Sequence, residues 1–136
     1  RVTLAREIEM VDDYLALESM RLAERLAVVR DITPEAMNAR IPVMLLQTLV
    51  ENGIKHGIAQ LRQGGTLHIS AHVAEKMLVL SVANPRPSGA TAMPYNEGLG
   101  LKNSSERLRL LFGPTAALEL DLSDPRRAIA TVRLPA

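Results

Sequence analysis

Read for the spacing of its apolar positions, the chain alternates between helical and extended stretches. Leu4, Ile8, Val11, Leu15 and Leu22 recur at steps of four and three with Glu18 as one polar break, a heptad-like seam that predicts a helix over 4–24. Arg6, Glu7, Glu9, Asp12 and Asp13 are expected to fill its outer side. Two readings of this helix stand: a domain helix packed on a sheet, or the tail of a helical dimerisation segment lying upstream. Leu26, Val28 and Ile32 then alternate with polar or small residues, which predicts a short strand ended by Thr33 and Pro34. Pro42 suits the first turn of a helix that runs to about Gly57, with Leu46, Leu49, Val50, Gly53 and Ile54 on its buried side. After a turn at Gln63, Gly64 and Gly65, residues 66–73 and 77–83 read as a hairpin closed at Glu75 and Lys76. Residues 84–97 hold Pro85, Pro87, Ser88, Gly89, Pro94 and Asn96 and form no regular element, and loops of this length in a small domain are usually functional or mobile. A helix over 101–112 stops at Gly113 and Pro114, and strands over 117–122 and 128–134 close the chain. The order predicts an α+β protein, a two-layer α/β sandwich with a mixed, mostly antiparallel sheet and helices on one face.

Composition narrows the field of functions. At 136 residues the chain is one domain with room for a sizeable core. Aromatic residues make up 2%, so the core is aliphatic and there is little to stack nucleic-acid bases. A net charge of +1 gives no electrostatic reason for a nucleic acid or an anionic membrane as partner. Without cysteine there is neither a disulfide scaffold nor a thiolate metal site, which fits a reducing, cytoplasmic setting. No apolar run reaches the roughly 20 residues of a membrane span, so no direct membrane contact is expected. The first residue is Arg1, which suggests a piece cut from a longer chain.

The chemistry is concentrated in two places. Winding the helix that follows Pro42 sets Thr48, Asn52 and His56 in one row with Lys55 beside them. An amide, an ammonium and an imidazole on one stripe can hold a metal ion and its phosphates. The plainer alternatives are a surface amide at Asn52, a surface histidine at His56, and a Lys55–Glu51 pair worth only tenths of a kcal/mol. Glu51 projects about 100° from Asn52, which makes it a supporting or surface group rather than a base. Gly98, Leu99, Gly100 and Leu101 form a glycine-rich turn opening a helix, the form a phosphate cradle takes. Asn103 is positioned as an early polar contact, and Arg107 either reaches phosphate or braces its helix. No Ser-His-Asp or Cys-His arrangement exists, and His68 and His72 read as surface residues of a strand.

These two places also carry a resemblance. The run from Leu46 to Gly57, Leu-Gln-Thr-Leu-Val-Glu-Asn-Gly-Ile-Lys-His-Gly, resembles the N box of LytS-type sensor histidine kinases. Gly98-Leu-Gly-Leu-Lys-Asn103, followed by Glu106-Arg-Leu108, resembles their second glycine box. Tyr14-Leu-Ala-Leu-Glu18 with Arg21, and the closing Val132-Arg-Leu-Pro135, match as well, so the resemblance covers essentially the whole chain. It implies the Bergerat fold shared with gyrase-type and mismatch-repair ATPases, with ATP and Mg²⁺ bound between the N-box helix and a lid. Residue by residue, it implies that Asn52 ligates Mg²⁺, that Lys55 and His56 face the transferring phosphoryl group, and that Gly98, Leu99, Gly100, Leu101 and Asn103 hold the nucleotide. Residues 1–24 would then be the helix linking to an upstream dimerisation segment, and residues 25–136 the ATP-binding catalytic domain.

The base pocket departs from the pattern. Where relatives carry an aspartate that accepts from the adenine amino group stands Asn84; Arg86 replaces the first glycine, and Ala128 a supporting threonine. An asparagine oxygen still accepts that bond, but a charged acceptor makes it roughly twice as strong. The resemblance implies a kinase that delivers the ATP γ-phosphate to a histidine on its own upstream segment, for relay to a response regulator. The full-length protein would be a homodimeric, membrane-bound sensor with this part in the cytoplasm. The alternative is a degenerate nucleotide-binding or docking module without turnover.

Overall fold

In the computed structural model, which describes residues 1–88 and 98–136, the apolar seam of the first helix is sealed inside the domain. This helix, α1 (Leu4–Leu22), starts at Thr3, whose side chain accepts the amide of Arg6 at 3.2 Å. Leu4, Ile8, Val11, Leu15 and Leu22 are buried in the same core as the sheet and the other helices. Glu7 is a correction to the expected pattern: it is fully buried with them, not on the outer side. The reason is a neighbour that spacing along α1 does not show. The start of α3 (Leu45–His56) lies against it, and the Gln47 amide donates to Glu7 Oε1 at 3.3 Å.

The remaining elements follow the expected order with additions. A two-residue pair, β1 (Val2–Thr3) and β3 (Arg40–Ile41), runs antiparallel beside the main sheet; two residues are too few to show alternation. After β2 (Leu26–Ile32), Thr33 caps a single helical turn, α2 (Pro34–Met37), where only a strand end was expected. Helix α3 begins at Leu45 rather than at Pro42. Met44 adopts a left-handed conformation (φ 71°), and the Pro42 carbonyl accepts the Leu45 amide at 3.2 Å. Strands β4 (Gly65–Ala74) and β5 (Met77–Pro85) form the expected hairpin, turning through Glu75 and Lys76, both at positive φ as a tight two-residue turn requires. Helix α4 (Gly98–Phe112) opens within the glycine-rich turn, and β6 (Ala117–Asp121) and β7 (Arg127–Pro135) complete the chain.

The five-stranded sheet has the order β2-β4-β5-β7-β6; β2 and β4 are parallel and every other pair is antiparallel. Alternation sends Leu67, Ile69 and Ala71 of β4, Leu78, Leu80 and Val82 of β5, and Ala130, Val132 and Leu134 of β7 into the core. The residues between them are mostly polar, Val79 being an exception, and Ser81 and Thr131 share a 3.0 Å hydrogen bond across the strands. His68 and His72 are exposed, as expected of surface residues. The fold is thus an α+β sandwich with a mixed, mostly antiparallel sheet. Among the described residues no helix is long and apolar enough to cross a membrane.

Candidate active site

The polar stripe of α3 survives because its opposite face carries the burial. Leu45, Leu46, Leu49, Val50, Gly53 and Ile54 are buried, which leaves Thr48, Asn52, Lys55 and His56 facing outward. They meet the first turn of α4 around a cavity of about 230 Å³ lined by Thr48, Glu51, Asn52, Lys55, His56, Gly100 and Leu101. Gly100 makes the approach possible: a β-carbon there would stand 3.2 Å from Thr48 Cγ2. The two motifs separated by some forty residues in sequence therefore share one cavity.

Charge within it is unevenly compensated. Lys55 is exposed, and among the described residues no ion pair joins it to Glu51, whose Oε1 instead accepts from Gln47 Nε2 at 3.3 Å. Burial, and then the neighbouring Lys55 ammonium, hold the His56 imidazole below its ordinary value of 6.5, so it is largely neutral near pH 7. Oxygen donors (the Asn52 amide, the Thr48 hydroxyl, the Glu51 carboxylate) lie on the same wall, a set suited to a hard cation. Among the described residues no group of three or more His, Cys, Asp or Glu could hold a metal. An ion at Asn52 would therefore take most of its ligands from phosphate and water.

Some expected site residues lie elsewhere. Gly98 and Leu99 begin α4 and are described by their backbone alone, and residues 89–97 of the irregular 84–97 stretch, the expected lid, lie outside the described residues. Asn103 is exposed on α4 and does not line the cavity. Arg107 braces its helix, donating through Nη2 to the Val43 carbonyl just before α3.

Asn84 is buried at the end of β5, 3% exposed, directly across from Ala128 in the ladder. Its Nδ2 donates to the Pro85 carbonyl at 2.9 Å. Its carboxamide lies against the glycine edge of α3: a β-carbon on Gly53 would meet Asn84 Oδ1 at 2.8 Å, and one on Gly57 would meet Asn84 Nδ2 at 2.1 Å. Arg86 is tied to the turn between β6 and β7, donating to the carbonyls of Arg127, Leu122 and Asp124 at 3.0 to 3.1 Å. Asn84 opens on a different cavity, about 400 Å³, shared with Thr66, His68, Pro85, Asp124, Arg126 and Arg127. Sequence reasoning missed Glu51 as a cavity residue and the role of the α3 glycines. The spacing of Gly53 and Gly57, one turn apart on the helix, was the available signal for the second.

No protein-family model matches the chain. The chain is 35% identical over 136 residues to the sensor histidine kinase BtsS of Escherichia coli (strain K12), covering 98% of this chain and 24% of that protein. It is 32% identical over 130 residues to the sensor protein LytS of Staphylococcus saprophyticus, covering 88% of this chain and 22% of that protein. The chain thus spans about a quarter of the length of these relatives. Its fold matches that of the catalytic domain of histidine kinase ThkA with a TM-score of 0.69 at 14% identity, over 98% of this chain and 95% of the other.

Proposed function

We propose, since the chain belongs to the LytS-type sensor histidine kinases, that it is the catalytic domain that binds Mg·ATP and presents the γ-phosphate to a histidine on an upstream segment of the same protein. The observation that carries this reading is the convergence of Asn52, Lys55 and His56 with the first turn of α4 on one cavity. Backbone amides at a helix start point at an anion, and the glycines at 98 and 100 let phosphate approach that backbone closely. Lys55, without a carboxylate partner among the described residues, keeps its charge available to the transferring phosphoryl group. His56 adds a donor beside it. Asn52 would hold Mg²⁺ through its amide oxygen, and the ion, when bound, offsets phosphate charge. On this reading His56 contacts phosphate rather than accepting it. The chain's contribution is to bind, orient and stabilise, so the acceptor histidine comes from outside the cavity.

On this reading residues 1–24 connect to an upstream dimerisation and phosphoacceptor segment, residues 25–136 hold the nucleotide, and a response regulator receives the phosphoryl group. The full-length protein would be a homodimeric sensor with this part on the cytoplasmic side of a membrane. A second reading, a docking or regulatory module without turnover, draws support from the base end, where Asn84 and Arg86 are engaged by their own backbone neighbours.

Calorimetric titration tests the assignment. Asn52→Ala should weaken Mg·ATP binding about tenfold or more while leaving metal-free ATP binding nearly unchanged, the expected loss of a charge-assisted contact. Equal loss in both titrations would mean general damage and would sink the metal role. With the upstream helical segment supplied, the chain should label a histidine there, and Lys55→Ala should cut that labelling. Binding without labelling would favour the docking module.

A further inference from the structure

Glu7 is a buried carboxylate with no part in the site described above. It lies in the first turns of α1, fully buried, and its two oxygens differ sharply. Oε1 accepts the amide of Gln47, in the first turn of α3, at 3.3 Å. Oε2 has no hydrogen-bond partner among the described residues. The N-cap residue of α3, Met44 in a left-handed conformation, makes no side-chain cap of its own. The first turn of a helix leaves amides unsatisfied and carries the positive end of its dipole, so a carboxylate belongs there. Here that carboxylate arrives from a different helix. Gln47 continues the link, since its side chain donates to Glu51 Oε1 at 3.3 Å, and Glu51 lines the cavity with Asn52 and Lys55.

We propose that Glu7 is a positioning residue: its carboxylate caps α3 from α1 and fixes the setting of the helix that carries Asn52, Lys55 and His56, so that nucleotide affinity depends on how α1 is docked. The cost of burying an unpaired oxygen is what a purely structural helix contact would avoid, because an apolar residue of the same size fills the space without it. This proposal rests on the nucleotide site proposed above.

The test compares the wild-type chain with Glu7→Gln, which keeps an acceptor oxygen at the same reach, and Glu7→Leu, which keeps the volume alone. Hydrogen exchange at the Gln47 and Thr48 amides should quicken in Glu7→Leu and stay close to wild type in Glu7→Gln. Mg·ATP titration, run well below the melting temperature of each variant, should show affinity reduced about fivefold in Glu7→Leu, the fold-change of a lost cap, and mostly restored in Glu7→Gln. Unchanged exchange in Glu7→Leu would overturn the cap. Quickened exchange with equal affinity in all three would overturn the coupling. If the wild type binds no Mg·ATP, the proposed function fails and takes the coupling with it, while the exchange comparison still decides whether Glu7 caps α3.

Discussion

The two ends of the candidate nucleotide site are built on opposite plans. At the α4 end, polar side chains of α3 stand around a cavity that small residues keep open, and Gly100 clears the space beside Thr48. At the β5 end, polar side chains of the same general kind are spent on the fold itself: Asn84 on the Pro85 carbonyl, Arg86 on the carbonyls of Leu122 and Asp124 in the β6–β7 turn and of Arg127 at the start of β7. The contrast teaches that residue type and position do not make a binding group. What matters is whether the backbone nearby has already claimed its hydrogen bonds.

The largest expected effect comes from forcing the closed end apart. A β-carbon on Gly57 would lie 2.5 Å from the carbonyl oxygens of both Gly53 and Pro85, as well as 2.1 Å from Asn84 Nδ2. Backbone cannot step aside cheaply, so Gly57→Ala should destabilise the chain by about 3 kcal/mol in urea denaturation. Gly53→Ala should cost clearly less, since its sharpest contact is the tip of a side chain, Asn84 Oδ1 at 2.8 Å, and alanine favours a helix. Equal costs at the two glycines would show that the α3–β5 contact is looser than described.

Next in size is the acceptor at position 84. Asn84→Asp should tighten ATP binding by about 1 kcal/mol if this residue reads the base. It should also lower the stability of the nucleotide-free chain, because a carboxylate oxygen replaces the amide that now donates to Pro85. A stability loss with no change in ATP affinity, or in preference over GTP, would make Asn84 a purely structural residue and widen the contrast between the two ends.

The smallest effect concerns His56 at the open end. Its folded value is depressed, so the unfolded chain binds the proton more readily. The stability it contributes is present above about pH 6.5 and is lost as the pH falls through that value toward the folded one. Docked phosphates would favour the imidazolium and reverse the direction, so Mg·ATP binding should take up protons just below neutrality, and His56→Gln should flatten that dependence. Proton uptake measured calorimetrically in two buffers checks it; the same uptake in wild type and variant would remove His56 from the phosphate site.

Much of this was legible in the sequence because it depends on local periodicity. The α3 stripe, the β4–β5 hairpin at Glu75 and Lys76 and the glycine-rich opening of α4 each follow from spacing within a few turns or strands. What was not legible is set by distant partners. Glu7 looks like an outward charge until α3 is laid over it. Arg107 could serve phosphate or fold equally well until the Val43 carbonyl is seen beside it. The start of α3 depends on one left-handed residue, Met44, which no propensity favours.

The junction of α1 and α3 also carries its own chromophore. The chain has no tryptophan and two tyrosines, and one of them, Tyr14, sits on α1 with its phenol pushed up by burial first and then by the carboxylates of Glu18 and Glu51. Because Glu51 belongs to α3, the ionisation of Tyr14 is tied to how closely the two helices approach, and an alkaline titration would ionise it after a free phenol. A shift of α1 against α3 would then move that alkaline titration, with no label attached.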